Sequence, residues 1–191
     1  MAKLYFRHGC MGSSKTLNML AVSHNYKTQN KCAVLMKPKL DDRFGNDVVK
    51  SRAGLSMTAD LMIDDTTNIV DYIEGKNIDC ILVDESQFLS PSHVEQLRLI
   101  TIKFNIPVIC YGLRTDFKSK LFEGSKRLLE LADSIEEVKT TCHYCNKKAI
   151  MNIKHNGENI LTDGPTIELG AEDLYYSSCF KCYNEKTNMM K

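Results

Sequence analysis

Three groups of residues in this 191-residue chain have the types and spacing to do chemistry. The first is Gly9-Cys10-Met11-Gly12-Ser13-Ser14-Lys15-Thr16. Glycine, four residues, glycine, lysine and a hydroxyl residue, set between a strand and a helix, is the pattern of a phosphate-binding loop, which this stretch follows except at Ser14. Its N–H groups turn inward onto phosphate oxygens, and the helix N-terminus adds partial positive charge. Lys15 belongs on the β- and γ-phosphates of a nucleotide, and the Thr16 hydroxyl on Mg²⁺. Ser14 stands where glycine is usual. Serine takes positive φ only at a cost, so the loop requires a near-helical conformation there. Cys10 lies beside a helix N-terminus and a lysine, which predicts a lowered thiol pKa and alkylation that bound nucleotide slows. A small filler side chain is the plainer alternative.

The second group is Asp84-Glu85, closing the apolar run 78–83. A carboxylate at the end of a buried strand can hold Mg²⁺, which assigns Asp84. Glu85 points to the other side and could accept a proton from an attacking hydroxyl. The alternative is a solvated acidic turn. The third group is two Cys-x-x-Cys pairs, Cys142/Cys145 and Cys179/Cys182. Two such pairs on one ribbon match a closed four-thiolate zinc site of structural type, ahead of a redox pair or two disulfides. His143 is the remaining candidate ligand, or simply a turn residue.

These groups must be positioned by alternating strands and helices. Short apolar runs at 4–6, 33–36, 78–83, 107–111 and 135–140 read as strands, and 14–29, 68–74, 91–104 and 125–132 as helices. Leu17, Leu20, Ala21 and His24 mark the expected inward face of the first helix, and Ser90 with Pro91 starts the third. That rhythm predicts an α/β fold, a P-loop NTPase-like parallel sheet flanked by helices, with the loops after the strands along one edge. Residues 38–67, charged and weakly periodic, read as one long functional or disordered loop. After residue 140 the rhythm breaks. Runs at 148–153 and 158–161 flank the hairpin turn His155-Asn156-Gly157, and an irregular stretch returns to the second cysteine pair. Two units are therefore expected: a nucleotide-binding domain over 1–140 and a small zinc-ribbon lid domain over 141–191.

The formal net charge is +1, from 25 basic and 24 acidic residues, which disfavours stable binding to polymeric DNA or RNA. Eight scattered cysteines suit a reducing compartment rather than a secreted disulfide framework. The first residues carry too short an apolar run for a signal peptide, and no stretch approaches the ~18 apolar residues of a membrane span. A soluble cytoplasmic protein is expected.

In combination, Gly9-x-Met11 with Lys15-Thr16, Asp41-Asp42-Arg43-Phe44, Asp84-Glu85-x-Gln87-Phe88, Gly112-Leu113-Arg114-Thr115-Asp116-Phe117, Phe122, the cysteine pairs and Tyr175-Tyr176-Ser177-Ser178-Cys179 resemble the type II, cytosolic-type thymidine kinases over nearly the whole chain. The resemblance implies transfer of the ATP γ-phosphate to the 5′-hydroxyl of thymidine, and of deoxyuridine as a further candidate, for DNA precursor salvage. It implies Glu85 as general base, and loop residues Gly9 to Thr16 with Asp84 serving ATP and magnesium. It also gives Asp41 a water-mediated contact to the metal and places Arg43 near Glu85. Met11, Phe88, Leu113, Phe117 and Phe122 would line a thymine pocket, with Gln87 and Glu168 at the nucleoside, Tyr175 as its cover and a lasso loop at about 162–175. A homotetramer and feedback inhibition by dTTP are implied as well. The chain departs from the family at Ser14, at Glu168-Leu169-Gly170-Ala171 and at Phe180. Two other classes fit parts of the pattern: a P-loop ATPase or motor using a zinc ribbon on nucleic acid, and a nucleotide-binding regulator without catalysis.

Overall fold

Alternation along the apolar runs decides the core. The computed structural model describes residues 1–41, 47–157, 159–166 and 174–189. β1 (Leu4–His8), β2 (Ala33–Pro38), β5 (Leu61–Ile63), β6 (Cys80–Val83), β7 (Val108–Gly112) and β8 (Ser134–Glu137) form one sheet in the order β5-β2-β6-β7-β1-β8. Every neighbouring pair is parallel. Successive side chains leave opposite faces. Val34, Met36, Ile81, Val83, Val108 and Cys110 therefore pack against α2 (Ile69–Ile73), α3 (Pro91–Lys103) and α4 (Glu123–Leu131). Ala33, Leu35, Cys80, Leu82, Ile109 and Tyr111 pack against α1 (Lys15–Thr28) on the other face. Strands covered on both sides need continuous apolar runs, and β6 and β7 are buried throughout. The Ser90 hydroxyl accepts from His93 N–H at 3.2 Å, with Pro91 opening α3, as the sequence anticipates.

Two expectations are corrected. The buried face of α1 is Lys15, Met19, Leu20 and Ser23, while Ala21 and His24 are exposed. Lys15 turns into the phosphate loop and so sets the helix's rotation; residues four and eight further on fall beneath it. The segment 38–67 is not one loop. It holds a hairpin, β3 (Val48–Lys50) with β4 (Ser56–Thr58), and then β5, which extends the main sheet beside β2. Strands of three residues carry too few alternations to register as a period.

Beyond residue 140, β9 (Met151–His155) lies between β10 (Ile160–Leu161) and β11 (Tyr175–Ser178) in an antiparallel sheet. The turn is where Asn156-Gly157 predicts, with Gly157 at φ 96°. β11 and the helix α5 (Phe180–Thr187) occupy what the sequence leaves irregular. Tyr183 of α5 is buried and donates to the Phe117 carbonyl at 2.7 Å, tying this unit to the main body. Tyr176 is stacked between His143 (4.0 Å) and His155 (3.7 Å), both rings within about 11° of parallel. Among the described residues no helix is long and apolar enough to cross a membrane.

Candidate active site

The loop from β1 to α1 is shaped by close approach. A Cβ at Gly9 would lie 2.5 Å from both Ser13 Oγ and the Val138 carbonyl, so only glycine fits. Gly12 has φ 71°, and Ser14 has φ 65° and ψ 25°, in the left-handed region. The near-helical Ser14 expected from the sequence is thus wrong. The turn needs αL there, and serine adopts it at a cost of order 1–3 kcal/mol. No side chain caps α1 at Ser14, so the first N–H groups of the helix open into the cleft. Lys15 is buried, and its ammonium donates to the Cys10 carbonyl at 2.8 Å and to Ser13 Oγ at 3.4 Å. The lowered pKa expected for Cys10 is also corrected. Burial outweighs Lys15 and Arg114, and the thiol is pushed up to about 11.

β6 carries the carboxylates to the same edge. Thr16 Oγ1 donates to Asp84 Oδ2 at 3.0 Å, so the hydroxyl and carboxylate expected on Mg²⁺ are in direct contact. Burial, then the charge of Glu85, pushes Asp84 up to about 7, against the hydrogen bond from Thr16. A carboxylate desolvated beside another is stabilised when a cation enters. Glu85 is left-handed, with φ 47°. Its Oε2 accepts from Gln87 Nε2 at 2.5 Å, and Gln87 Oε1 accepts from Leu113 N–H at 3.0 Å. Gln87 is 2% exposed, with its amide spanning Glu85 and the end of β7. Ser86 Oγ donates to the Tyr111 carbonyl at 2.9 Å and Ser125 Oγ to that of Leu113 at 2.5 Å, which locks β7 to the 3₁₀ turn Ser86–Phe88 and to α4.

Two recesses meet at this edge. A cleft of about 570 Å³ is lined by residues 11–17, by Glu85 and by the hairpin tip 50–53. Lys50 and Arg52 there are residues that sequence reasoning leaves within an undifferentiated charged run. Arg52 Nη1 lies 3.8 Å from where a Gly12 Cβ would stand. The hairpin is held by buried Lys37, whose ammonium donates to the Val48 carbonyl at 3.0 Å and pairs with Asp41 at 3.1 Å. The second recess, about 370 Å³, gathers Met11, Phe88, Leu113, Phe117, Phe122 and Tyr175, six residues the sequence nominates. Phe88 meets Phe122 edge-on at 5.7 Å, and Phe117 lies 6.5 Å from Tyr175. Thr115 and Asp116, which stand in a sequence motif without an assigned role, add polar groups, as do Asn152 and Thr166, which the sequence does not single out. An apolar recess walled by aromatic rings, with a few polar anchors, suits a flat heterocycle. Buried Lys154 donates to the Pro165 carbonyl at 3.1 Å, with its ammonium 5.1 Å from the Phe117 ring centre. Met11 lines both recesses. Gln87 lines neither; its side chain reaches Glu85 instead. Arg43 and Glu168, also nominated, lie outside the described residues.

The sulfurs of Cys142, Cys145, Cys179 and Cys182 all lie within 4.8 Å of one another, with Cys145–Cys179 at 3.7 Å and Cys145–Cys182 at 3.8 Å. A tetrahedron with Zn–S bonds of about 2.3 Å has edges of about 3.8 Å, so the quartet fits a metal such as zinc. None of the four forms a disulfide. Tyr144 N–H donates to Cys142 Sγ at 3.4 Å. Burial alone would raise Cys142, yet N–H groups around it bring it down to about 6, favouring thiolate. His143 stacks on Tyr176 and stands outside the quartet.

The description of the thymidine kinase family matches residues 2–183. The chain is 45% identical over 182 residues to a thymidine kinase of Lactiplantibacillus plantarum, covering 94% of each. It is 46% identical over 187 residues to one of Listeria monocytogenes, covering 96% of this chain and 97% of the relative. With one of Streptococcus gordonii it shares 43% over 187 residues, 96% of each.

Proposed function

The chain belongs to the thymidine kinase family, and on that premise we propose that it transfers the γ-phosphoryl group of Mg-ATP to the 5′-hydroxyl of thymidine, and of deoxyuridine, for DNA precursor salvage. The observation that carries this reading is the Thr16–Asp84 contact with Glu85 beside it, on a cleft that shares Met11 with an aromatic recess. The nucleoside base occupies the recess, with Tyr175 as its cover and a lasso over about 162–175 that includes Glu168. The triphosphate lies in the cleft. Thr16 and Asp84 would hold the magnesium ion, with Asp41 reaching it through water, and the ion would supply neutralisation of phosphate charge.

The chain's own residues do the rest. Helix α1 N–H groups and Lys15 carry phosphate charge. Glu85 takes the proton from the 5′-hydroxyl as the O5′–P bond forms and the bond to the β-phosphate oxygen breaks, releasing ADP and dTMP. Gln87 holds the Glu85 carboxylate in place, and Arg43 adds a cation near it. Arg52, reaching over Gly12, adds positive charge opposite Lys15 as phosphoryl charge develops. Residues 1–140 serve as the catalytic body and 141–191 as a lid closed by a structural zinc. Family likeness supports a homotetramer inhibited by dTTP in the cytoplasm. The near-balanced charge supports a free nucleoside rather than nucleic acid as acceptor.

The test is purified chain with Mg-ATP and a nucleoside panel. ADP and dTMP should form in equal amounts. Glu85→Gln should lower kcat by roughly 10²–10⁴-fold while ATP still binds. DNA-stimulated ATP hydrolysis with inert thymidine would replace this reading with a nucleic-acid motor.

A further inference from the structure

The lid sheet holds the phosphate loop directly, at a single residue. Asn152 on β9 accepts the Met11 N–H through Oδ1 at 2.9 Å, and Ser177 on β11 donates its hydroxyl to the Met11 carbonyl at 3.0 Å. Ser177 and Asn152 are directly opposite each other in the β11–β9 register. Opposed residues of an antiparallel pair project from the same face, so the two side chains act together. We infer that Asn152 and Ser177 form a two-point clamp on Met11 and are positioning residues for the phosphate loop, through which the ribbon governs ATP binding as well as nucleoside binding. This rests on the nucleotide-binding reading of the loop.

The loop needs such a support. Met11 precedes Gly12 at φ 71° and Ser14 at φ 65°, a strained sequence of turns that has to be held by groups outside it. The Met11 N–H and carbonyl belong to successive peptide groups, so bonding both fixes the backbone on either side of its Cα. Met11 is also where the two recesses touch. The clamp in turn is held by the cysteine unit. His143 N–H, between Cys142 and Cys145, donates to the Ser177 carbonyl at 2.8 Å, and Ile150 N–H donates to that of Ser178 at 2.9 Å. The strand that grips Met11 runs straight into Cys179. Arg114 adds a longer tie from the main body to the Ile150 carbonyl at 3.4 Å.

Three variants separate this from a role within the lid alone: Asn152→Leu, which removes the acceptor; Ser177→Ala, which removes the donor; and Ser177→Thr, which restores the hydroxyl on a strand that favours threonine. Mg-ATP affinity is measured by calorimetry on the full chain without nucleoside, with zinc content and steady-state kinetics on the same samples. Each of the first two should weaken Mg-ATP binding by about tenfold, the worth of one such hydrogen bond. Their combination should fall short of additive, and Ser177→Thr should match the parent. Zinc content should stay at the parent level; if Ser177→Ala loses metal, Asn152→Leu, on a strand that carries no cysteine, decides. Unchanged Mg-ATP affinity in Asn152→Leu, with only the thymidine KM raised, overturns the clamp. Because binding is read without nucleoside, failure to phosphorylate thymidine would count against the assigned reaction and leave this result standing.

Discussion

Gly112→Ala tests how Glu85 is aimed, since the atoms nearest the added Cβ belong to Gln87 and Ser86. A Cβ at Gly112 would stand 2.7 Å from Gln87 Oε1 and from Ser86 Oγ, and 3.0 Å from Gln87 N. Those distances fall roughly 0.7 Å short of ordinary contact. The backbone amide cannot retreat far, because Ser86 is tied to the Tyr111 carbonyl and the turn is packed under Gly124, where a Cβ would be 2.6 Å from the carbonyls of Leu89 and Ser86. The Gln87 side chain must give way. Its amide is planar, so moving Oε1 off Leu113 N–H swings Nε2 off Glu85. Overpacking of this kind costs about 1–3 kcal/mol of stability, and each kcal/mol lowers Tm by roughly 2–4 °C in a chain of this length. The catalytic cost should lie near the top of that range: a misplacement of about 1 Å is worth about 10²-fold, or roughly 2.7 kcal/mol in the barrier. Steady-state assay at 25 °C should show kcat down by about that factor, with the ATP KM near the parent value. A kcat within twofold of the parent, in a variant whose Tm has dropped, would refute the idea that Gln87 aims Glu85.

Arg52→Ala should lower kcat by about 10²-fold, the worth of one preorganised donor on developing charge; a loss of less than threefold would remove Arg52 from the phosphate site. Cys145→Ser should release bound zinc and unfold the ribbon, lowering both nucleoside and ATP affinity; unchanged metal content would overturn the four-thiolate assignment. Cys10 stays protonated until pH approaches about 11, because burial favours the neutral thiol over its ordinary value of 9.0. Iodoacetamide at pH 7.5 should therefore label exposed Cys32 well before Cys10, and the stability linked to this thiol should be intact below pH 9 and lost as pH rises through 11. Equal labelling rates at the two cysteines would show that the loop opens freely.

Where placement depends on residue type at fixed spacing, the sequence anticipates it. Gly9, Lys15, Thr16, Asp84 and the cysteine quartet come together because a parallel sheet delivers every strand end to one edge and a metal needs four thiolates at set distances. The apolar runs of β6 and β7 were legible because both their faces are covered. Backbone conformation was not legible: Ser14 and Glu85 are left-handed through the demands of the turns they occupy. Partners distant in the chain were also out of reach. Gln87 reads as a pocket residue until its amide is seen between Glu85 and Leu113. Asn152 reads as an ordinary strand position, and Ser177 as part of an irregular return, until the register sets them opposite each other with both side chains on Met11. The buried face of α1 departs from the apolar spacing because Lys15, a charged residue, decides which way the helix turns.

The His143–Tyr176–His155 stack gives the protein an internal optical reporter. The chain has no tryptophan, so near-ultraviolet absorption and emission come from eight tyrosines. Only Tyr176 is sandwiched between two imidazoles, one of them, His155, buried with its Nε2 unpartnered and its pKa lowered by that burial. Its ring protons lie in the shielding cones of both neighbours. One tyrosine's displaced pair of ring-proton resonances should therefore follow the integrity of the cysteine unit in solution, with no label attached.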